Sequence, residues 1–300
     1  MDKTRVEAVT DALHAIDPAL IIASKDVIKN NDEKLTALTI GNPGETVVPT
    51  IYLERFNGMT EEDAAEKIMD LIRNVKPINF DAEEFANWDT AKKHLAVMLL
   101  NKRYNKELLS DMPYKTIAED LAEIVIYEAV SSEGSGTIKI HDCHREKWGV
   151  SEDELLSAAE ENAPKMLPAM INGMQDILSS ILGEEEAKQY APAPEQPELT
   201  VITNTEKTNG AAVMAYPGVL NMIAKRIAAD KLVILPSSIH EVLALPLDDE
   251  DMLPAMTAMV REVNANEVAD NEILSDHVYI YDAVTDTISV PKEDMKEMEL

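Results

Sequence analysis

The stretch KLVILPSSIHEVLALP, residues 231–246, places two apolar runs on either side of a short polar segment. A nearly continuous run of Leu, Val and Ile is typical of a strand that is buried on both faces. Because proline cannot donate to a central ladder, Pro236 and Pro246 should mark the ends of pairing. The stretch therefore predicts apolar strands at 231–235 and 241–245, joined by PSSIHE as an exposed or cleft-lining junction.

Four polar side chains of this junction are the candidate binding residues: Ser237, Ser238, His240 and Glu241. Buried without partners, each would cost on the order of 1–3 kcal/mol, so they should face water, loop backbone or a ligand. Ser238 and His240 share one face of an extended strand, which leaves a hydrolase using these two residues as an alternative. The glycines of a nucleophile elbow are missing around Ser237, and the sequence assigns no catalytic residue.

A metal or nucleotide cofactor is not expected. His141, Cys143 and His144 are candidate ligands, with the first two placed on one strand face, but a structural zinc site needs a second ligand couple and none is visible. The acids of LDDED, residues 247–251, precede a helix and complement its dipole. The chain has ten glycines and contains neither a P-loop nor a complete dinucleotide fingerprint.

The net charge of the chain restricts the kinds of molecule that it is expected to bind. Among 300 residues, 56 acids stand against 27 bases, for a net charge of −29. Such a chain is repelled by nucleic-acid phosphates and by anionic membranes, so direct nucleic-acid binding is not expected. An acidic mimic of nucleic acid, which would occupy the basic groove of a protein partner, stays open. Its acids would have to form one continuous surface, whereas a charge that serves solubility would be scattered.

Composition also indicates the compartment. One cysteine excludes an internal disulfide framework and fits a reducing environment. The start of the chain, MDKTRVEAVTDALHAI, has no uninterrupted apolar segment, so no signal peptide is expected there. No apolar run approaches the roughly 18 residues that a membrane span requires. We therefore expect a cytoplasmic protein without a membrane partner.

Hydrophobic periodicity predicts an α+β fold with mainly antiparallel hairpins. Strand–strand–helix patterns occur three times, at about 35–56/60–75, 121–141/151–163 and 199–216/217–229. Thr60 with Asp63, and Ser151 with Glu154, have the spacing of helix caps. Additional helices are expected at 4–16, 89–104, 169–182 and 252–264, and a further hairpin at HVYIYD/TISV.

Two units are expected, an N-terminal α+β unit at 1–112 and a C-terminal α+β unit at 113–300. The second contains a Glu/Pro-rich loop at about 184–198, which lacks any apolar period.

Four asparagines fall at predicted turns and helix ends, where Asn tolerates positive φ, so capping is the expected role of Asn30, Asn31, Asn101 and Asn105.

Six segments carry a resemblance to a known family: VPTIYLERF (48–56), LLNKRYNKELLSDMPY (99–114), KWGVSEDELLSAAEENAP (147–164), YPGVL (216–220), LPSSIHEVLALP (235–246) and LSDHVYIYDAVTDTIS (274–289). Together they resemble an uncharacterised family of gut anaerobic bacteria, number 5688 among the domains of unknown function. The part from about 119 onward is also similar to an uncharacterised group, number 1444. Neither resemblance implies a reaction, cofactor or ligand. Glu123 interrupts a strand that is apolar in the family, which predicts that this strand is half exposed.

The leading hypothesis for function is a non-enzymatic cytoplasmic binding or interaction protein, with a protein among the partners considered. It rests on a long, well-patterned chain that shows no recognisable catalytic constellation. The hydrolase that uses Ser238 and His240, and the acidic nucleic-acid mimic, are the two alternatives.

Overall fold

The computed structural model describes residues 3–44, 48–74, 80–131, 134–173, 176, 179, 182–187 and 199–298. These residues form three sheets with helices packed against them, and every strand pair in the sheets is antiparallel. The predicted α+β class is confirmed. No helix within the described ranges is long and apolar enough to cross a membrane.

The N-terminal sheet has the strand order β1–β2–β3, formed by Ile21–Ile28, Lys34–Gly41 and Thr50–Tyr52. Helices α1 (Lys3–Ile16) and α2 (Glu61–Asn74) pack together and share a buried core with β2 that includes Leu13, Leu38 and Ile68. Thr60 caps α2 as expected, because its Oγ1 accepts a hydrogen bond from the Asp63 N–H at 3.1 Å.

The middle sheet is built around one long strand, β6 (Leu121–Ser131). Strand β4 (Leu95–Asn101) pairs along one edge of β6, while β5 (Tyr114–Ala118) and β7 (Gly134–Lys139) pair with successive parts of the other edge. Its helices are α3 Ala82–Ala86, α4 Trp88–Ala91, α5 Asp142–Trp148 and α6 Glu152–Met166. The predicted hairpin β6/β7 and the cap at Ser151, whose Oγ accepts from the Glu154 N–H at 3.2 Å, are both present.

The C-terminal sheet has six strands in the order β13–β12–β10–β11–β9–β8. In chain order, the strands of this sheet and the helices of the same part of the chain are β8 Ala169–Gly173, α7 Glu184–Ala187, β9 Thr200–Asn204, α8 Val219–Arg226, β10 Lys231–Pro236, β11 Val242–Pro246, α9 Leu253–Glu267, β12 Tyr279–Asp282, β13 Thr287–Ser289 and α10 Lys292–Met298. The hairpin β10/β11 lies at its centre, with Ile234 opposite Ala244. Alternate residues of β10 reach two cores, one shared with the middle sheet and one against α9, so β10 is buried on both faces as predicted.

Three predicted elements are wrong. Residues 95–101 of the expected helix 89–104 form strand β4, and residues 169–173 of the expected helix 169–182 form strand β8. A short, fully buried apolar run such as LAVMLL does not distinguish helix from strand by its period. The second strand of the third unit is a 3-10 helix, Gly210–Ala215, because both edges of β9 are already occupied, by β8 and β11.

The prediction for Glu123 is also wrong. Its side chain is 2% exposed, and β6 is buried around it. Burial, and then the neighbouring Glu160 of α6, raise the pKa of Glu123 to about 8. Glu123 is therefore buried in the strand beneath α6 as a neutral carboxylic acid. A sequence pattern counts the same residue as charged.

The predicted boundary between 1–112 and 113–300 stays a prediction. Strand β4 pairs with β6 from Leu95 opposite Tyr127 to Asn101 opposite Leu121, so the middle sheet uses residues from both predicted units. A separate apolar core joins Val9 through Met69 within the N-terminal sheet and its helices.

A buried polar cluster connects the middle and C-terminal sheets. Asp120, in the turn between β5 and β6, accepts hydrogen bonds from Asn101 (2.7 Å), His277 Nε2 (3.0 Å) and Tyr279 OH (3.0 Å). Nδ1 of His277 lies 3.0 Å from the Val278 carbonyl, so both ring nitrogens donate and the ring carries a charge. Burial opposes both charges, but the contacts with Asp120 raise the pKa of His277, and those with His277, Tyr279 and Asn101 lower the pKa of Asp120.

This pair predicts a pH-dependent stability. Because the folded pKa of His277 is raised, its contribution is complete below pH 6.5 and is lost as pH rises through the folded pKa. His277→Gln should reduce the free energy of unfolding by about 3 kcal/mol at pH 6, because it leaves a buried carboxylate unpaired, and by less at pH 9. Urea unfolding of both proteins at the two pH values measures this. A loss that is equal at pH 6 and pH 9 would rule out a charged pair.

Candidate functional site

A cavity of about 500 Å³ lies where the three sheets meet, and we call it the central cavity. The N-terminal sheet contributes the β1–β2 turn and the segment that follows β3. The middle sheet contributes Met98 of β4 and Lys139 at the end of β7, and the C-terminal part contributes the β10–β11 turn and the 3-10 helix Asp270–Glu272. The volume lies within the range typical of small-molecule sites.

The β1–β2 turn is held against both other parts of the molecule by asparagine amides. Asn31 has φ 61°, and its N–H donates to Asn105 Oδ1 at 2.7 Å. The Asn105 amide donates back to Asn31 Oδ1 at 3.0 Å, and the Asn31 amide donates to the Asp270 carbonyl at 2.6 Å. Asn30 donates to the Asn271 carbonyl at 2.6 Å. Of the four asparagines expected at turns and helix ends, Asn31 has the positive φ, and Asn101 closes a turn because its Oδ1 accepts from the Arg103 N–H at 2.9 Å. Asn30 and Asn105 do not have positive φ, and together with Asn31 they form one joint between three chain segments.

Basic side chains are concentrated at the central cavity. Lys29 Nζ lies 4.7 Å from the centre of the Tyr52 ring, and the Arg55 guanidinium lies 5.8 Å from the same centre. Lys139 is half-buried at the wall. Burial, and then the charge of Lys29, lower the pKa of Lys139 to about 8. Among the described residues, no carboxylate lies within ion-pair distance of the Lys139 ammonium.

The PSSIHE junction reaches this cavity through Ile239 and His240. His240 Nδ1 accepts a hydrogen bond from the Asn209 N–H at 3.0 Å, so Nε2 holds the proton of the neutral ring, 3.5 Å from Glu272 Oε1. The junction is thus cleft-lining, as the sequence predicts. Whether it binds a ligand stays a prediction.

The other three candidate residues close the turn. Ser238 Oγ accepts from the His240 N–H at 3.0 Å, and the Ser237 hydroxyl donates to Glu241 Oε1 at 3.3 Å. The N–H groups of both serines point to the Glu241 carbonyl, at 3.3 and 3.2 Å. Ser237, Ser238 and Glu241 therefore satisfy one another and the turn backbone, and they do not line the central cavity.

The possible metal ligands lie in a different arrangement from the one expected. His141 and Cys143 do not share a strand face, because β7 ends at Lys139 and α5 begins at Asp142. His144 Nδ1 accepts from the His141 N–H at 3.1 Å, and Cys143 is exposed. Within the described ranges, no group of three or more His, Cys, Asp or Glu side chains could hold a metal ion.

Comparison with known proteins places the chain in a family. The model of a family of unknown function (DUF5688) matches residues 5–283. The chain belongs to this family. No curated protein sequence and no solved structure matches it. The likeness of the C-terminal part to group 1444 stays a prediction.

Sequence reasoning missed most of the cavity. Lys29, Tyr52, Arg55 and Lys139 come from separate strands and turns, and no local motif connects them. Lys139 stands between Ile138 and Ile140, where strand alternation would assign a lysine to the solvent face. Only His240 carried a local signal, since it interrupts an otherwise apolar hairpin.

The turn that holds His240 predicts a strict need for glycine at position 210. A Cβ there would lie 2.5 Å from the His240 carbonyl oxygen, 2.7 Å from the Asn204 nitrogen and in contact with Thr203 Oγ1. Because two of these atoms belong to the backbone, Gly210→Ala should reduce the free energy of unfolding by about 3 kcal/mol. Gly149→Ala is the control, since Gly149 has φ 71° but open space around it and should lose only about 1–2 kcal/mol. Urea unfolding compares the two, and equal losses would contradict the close approach at Gly210.

Proposed function

We propose that this chain is a non-enzymatic binding protein whose ligand occupies the central cavity and carries an anionic group. The observation that carries the proposal is Lys139, a half-buried ammonium at the cavity wall with no carboxylate partner among the described residues. Burial of an unpaired charge is unfavourable, and an anionic ligand would relieve it.

The other bases support the same conclusion. Elsewhere on the surface, lysines stand close to acids, as in Lys34–Glu107 (2.7 Å), Lys115–Glu160 (2.6 Å) and Lys231–Glu250 (2.7 Å). Lys29 and Arg55 instead flank the Tyr52 ring at the cavity, and neither makes an ion pair with a described residue. Three basic groups balance the three carboxylates that line this cavity, whereas the chain as a whole has 56 acids and 27 bases.

The hydrolase alternative has less support. Ser238 Oγ is used as an acceptor for the His240 N–H, and the His240 ring is used by Asn209 and faces Glu272. A nucleophile needs its hydroxyl within hydrogen-bond reach of the base, and no described contact joins these two side chains. Covalent labelling of Ser237 or Ser238 by a fluorophosphonate probe, lost in His240→Ala, would favour the hydrolase over a binding protein.

The acidic nucleic-acid mimic also has less support. The ion pairs named above place exposed lysines among the acids on the N-terminal, middle and C-terminal parts of the chain, which favours a scattered charge over one continuous acidic surface. We place the protein in the cytoplasm on the basis of its single cysteine, because Cys143 is an exposed free thiol. A protein partner is compatible with this assignment, while the cavity favours a small ligand.

Removal of the Lys139 charge tests the proposal. Pentanoate, a carboxylate that stays ionised from pH 7 to pH 9, should bind to the unmodified protein, and Lys139→Met should weaken the binding at least tenfold at pH 7. Lys225→Met removes a lysine exposed on α8 and should have no effect. Calorimetric titration measures all three proteins. Equal affinity of Lys139→Met and the unmodified protein, or no binding by either, would contradict the proposal.

The pKa of Lys139 adds a pH dependence to this binding. The anion binds the ammonium form, which titrates at about pH 8 in the free protein, so the pentanoate affinity should fall roughly tenfold between pH 7 and pH 9. Proton uptake should accompany binding at pH 8. The charged or titratable groups that line the same cavity are Lys29, Arg55, Glu33, Glu54, Glu272 and His240. The pH dependence should disappear in Lys139→Met, and its persistence there would assign it to one of those groups.

A further inference from the structure

Three side-chain oxygens of residues that line the central cavity have no hydrogen-bond donor among the described residues. They are Asn30 Oδ1, Glu33 Oε2 and Glu54 Oε2, and each is shielded from solvent. Glu54 uses its other oxygen, Oε1, to accept from the Thr36 N–H at 2.9 Å, and Asn30, which is 5% exposed, uses its amide nitrogen toward Asn271. All three residues line the cavity.

This concentration is particular to one place. The other shielded polar atoms without partners in the described ranges are Arg5 Nε, Glu123 Oε1 and Thr200 Oγ1, which belong to residues outside the cavity lining. Buried acceptors are normally satisfied in folded proteins. Three unsatisfied oxygens around one cavity therefore indicate a group that donates several hydrogen bonds.

The charges at the cavity are balanced. Lys29, Arg55 and Lys139 stand against three carboxylates, Glu33, Glu54 and Glu272. A ligand with both signs of charge would match this lining. A ligand with no net charge would also approach a protein of net charge −29 without the long-range repulsion that a dianion meets.

We propose that the ligand of the central cavity is a small zwitterion, an ammonium joined to a carboxylate or phosphate. This inference rests on the proposed function, in which Lys139 holds the anionic group. The ammonium would lie beside Asn30, Glu33 and Glu54 and would draw their shielded oxygens toward it by side-chain rotation, because a primary ammonium has three donors and no acceptor. Carboxylates on this side also compensate its charge.

Matched probes test this on the unmodified protein. We compare 4-aminobutyrate with pentanoate, and O-phosphoethanolamine with propyl phosphate, by calorimetric titration at pH 7. Within each pair a methyl group replaces the ammonium while the anionic group stays. The zwitterion should bind at least tenfold more tightly than its partner in one pair, and the pair that responds identifies the anionic group as carboxylate or phosphate.

Two variants assign the effect to the acceptor side. Glu33→Gln and Glu54→Gln should each reduce the preference for the zwitterion at least threefold and leave binding of the methyl analogue unchanged or stronger. Glu66→Gln, an exposed position on α2, is the matched control and should retain the full preference. Circular dichroism establishes that each variant is folded.

The outcomes separate this inference from the proposed function. If pentanoate or propyl phosphate binds through Lys139 and its zwitterionic counterpart binds no more tightly, the ammonium site is wrong and the anion site stands. If a zwitterion is preferred but both Gln variants keep the whole preference, the inference is likewise overturned. If no probe binds, both proposals fail.

Discussion

The docking of the β1–β2 turn through the side chain of Asn105 is the interaction on which the central cavity depends. Asn105 is fully buried and lies between the middle sheet and the turn, where it exchanges two hydrogen bonds with Asn31. Asp32 extends the contact, because its carboxylate accepts from the Glu107 and Leu108 N–H groups, each at 2.8 Å. Asn31 and Asp32 both have positive φ, a conformation that a turn pinned by its side chains can hold. Without this docking, the N-terminal sheet would share no cavity with Lys139 or His240.

The meeting of the three sheets also explains why the polar groups of the cavity differ from those on the surface. The chain is strongly acidic, and exposed acids are tolerated because water solvates them. At the meeting point of the three sheets, groups such as Asn30 and Lys139 are wholly or partly withdrawn from water, so partners within the protein matter more to them. In the Asp120–His277 pair, the remaining hydrogen-bonding groups are satisfied by Asn101, Tyr279 and the Val278 carbonyl. The cavity is different, because within the described ranges Lys139 has no carboxylate partner, and Glu33 Oε2 and Glu54 Oε2 have no hydrogen-bond donor. This contrast distinguishes the satisfied structural cluster from the site that we propose for a ligand.

Local sequence signals predicted local structure well. The hairpin 231–246, the hairpin β6/β7 and the caps at Thr60 and Ser151 depend on neighbours within a few residues, and all are present. The errors arose where tertiary pairing decided the outcome. The run LAVMLL is a strand because β6 lies beside it, and GAAVMA is a 3-10 helix because β9 has no free edge. Glu123 was misjudged because its pKa depends on a helix that packs over it from 37 residues further along the chain.

The site was the least predictable part for the same physical reason. His240 was identified because a polar residue interrupted an apolar hairpin, but the residues that give the cavity its charge come from turns, short 3-10 helices and one strand end, and become neighbours only in the folded chain. Each of them is unremarkable in its own segment: a lysine at a strand end, a glutamate in a turn, an arginine after a tyrosine. The three bases share the lack of an ion-pair partner among the described residues, and this appears only when all their neighbours are known.

The most direct measurement of the central claim is the affinity of Asn105→Ala for pentanoate at pH 7, determined by calorimetric titration beside the unmodified protein. Asn105 does not line the cavity, so its removal acts on binding through the contacts that it makes, chiefly the two hydrogen bonds that position the β1–β2 turn. We expect at least a tenfold weaker affinity in a variant that remains folded by circular dichroism. An unchanged affinity in a folded Asn105→Ala protein would contradict the account, because the cavity would then form without the joint.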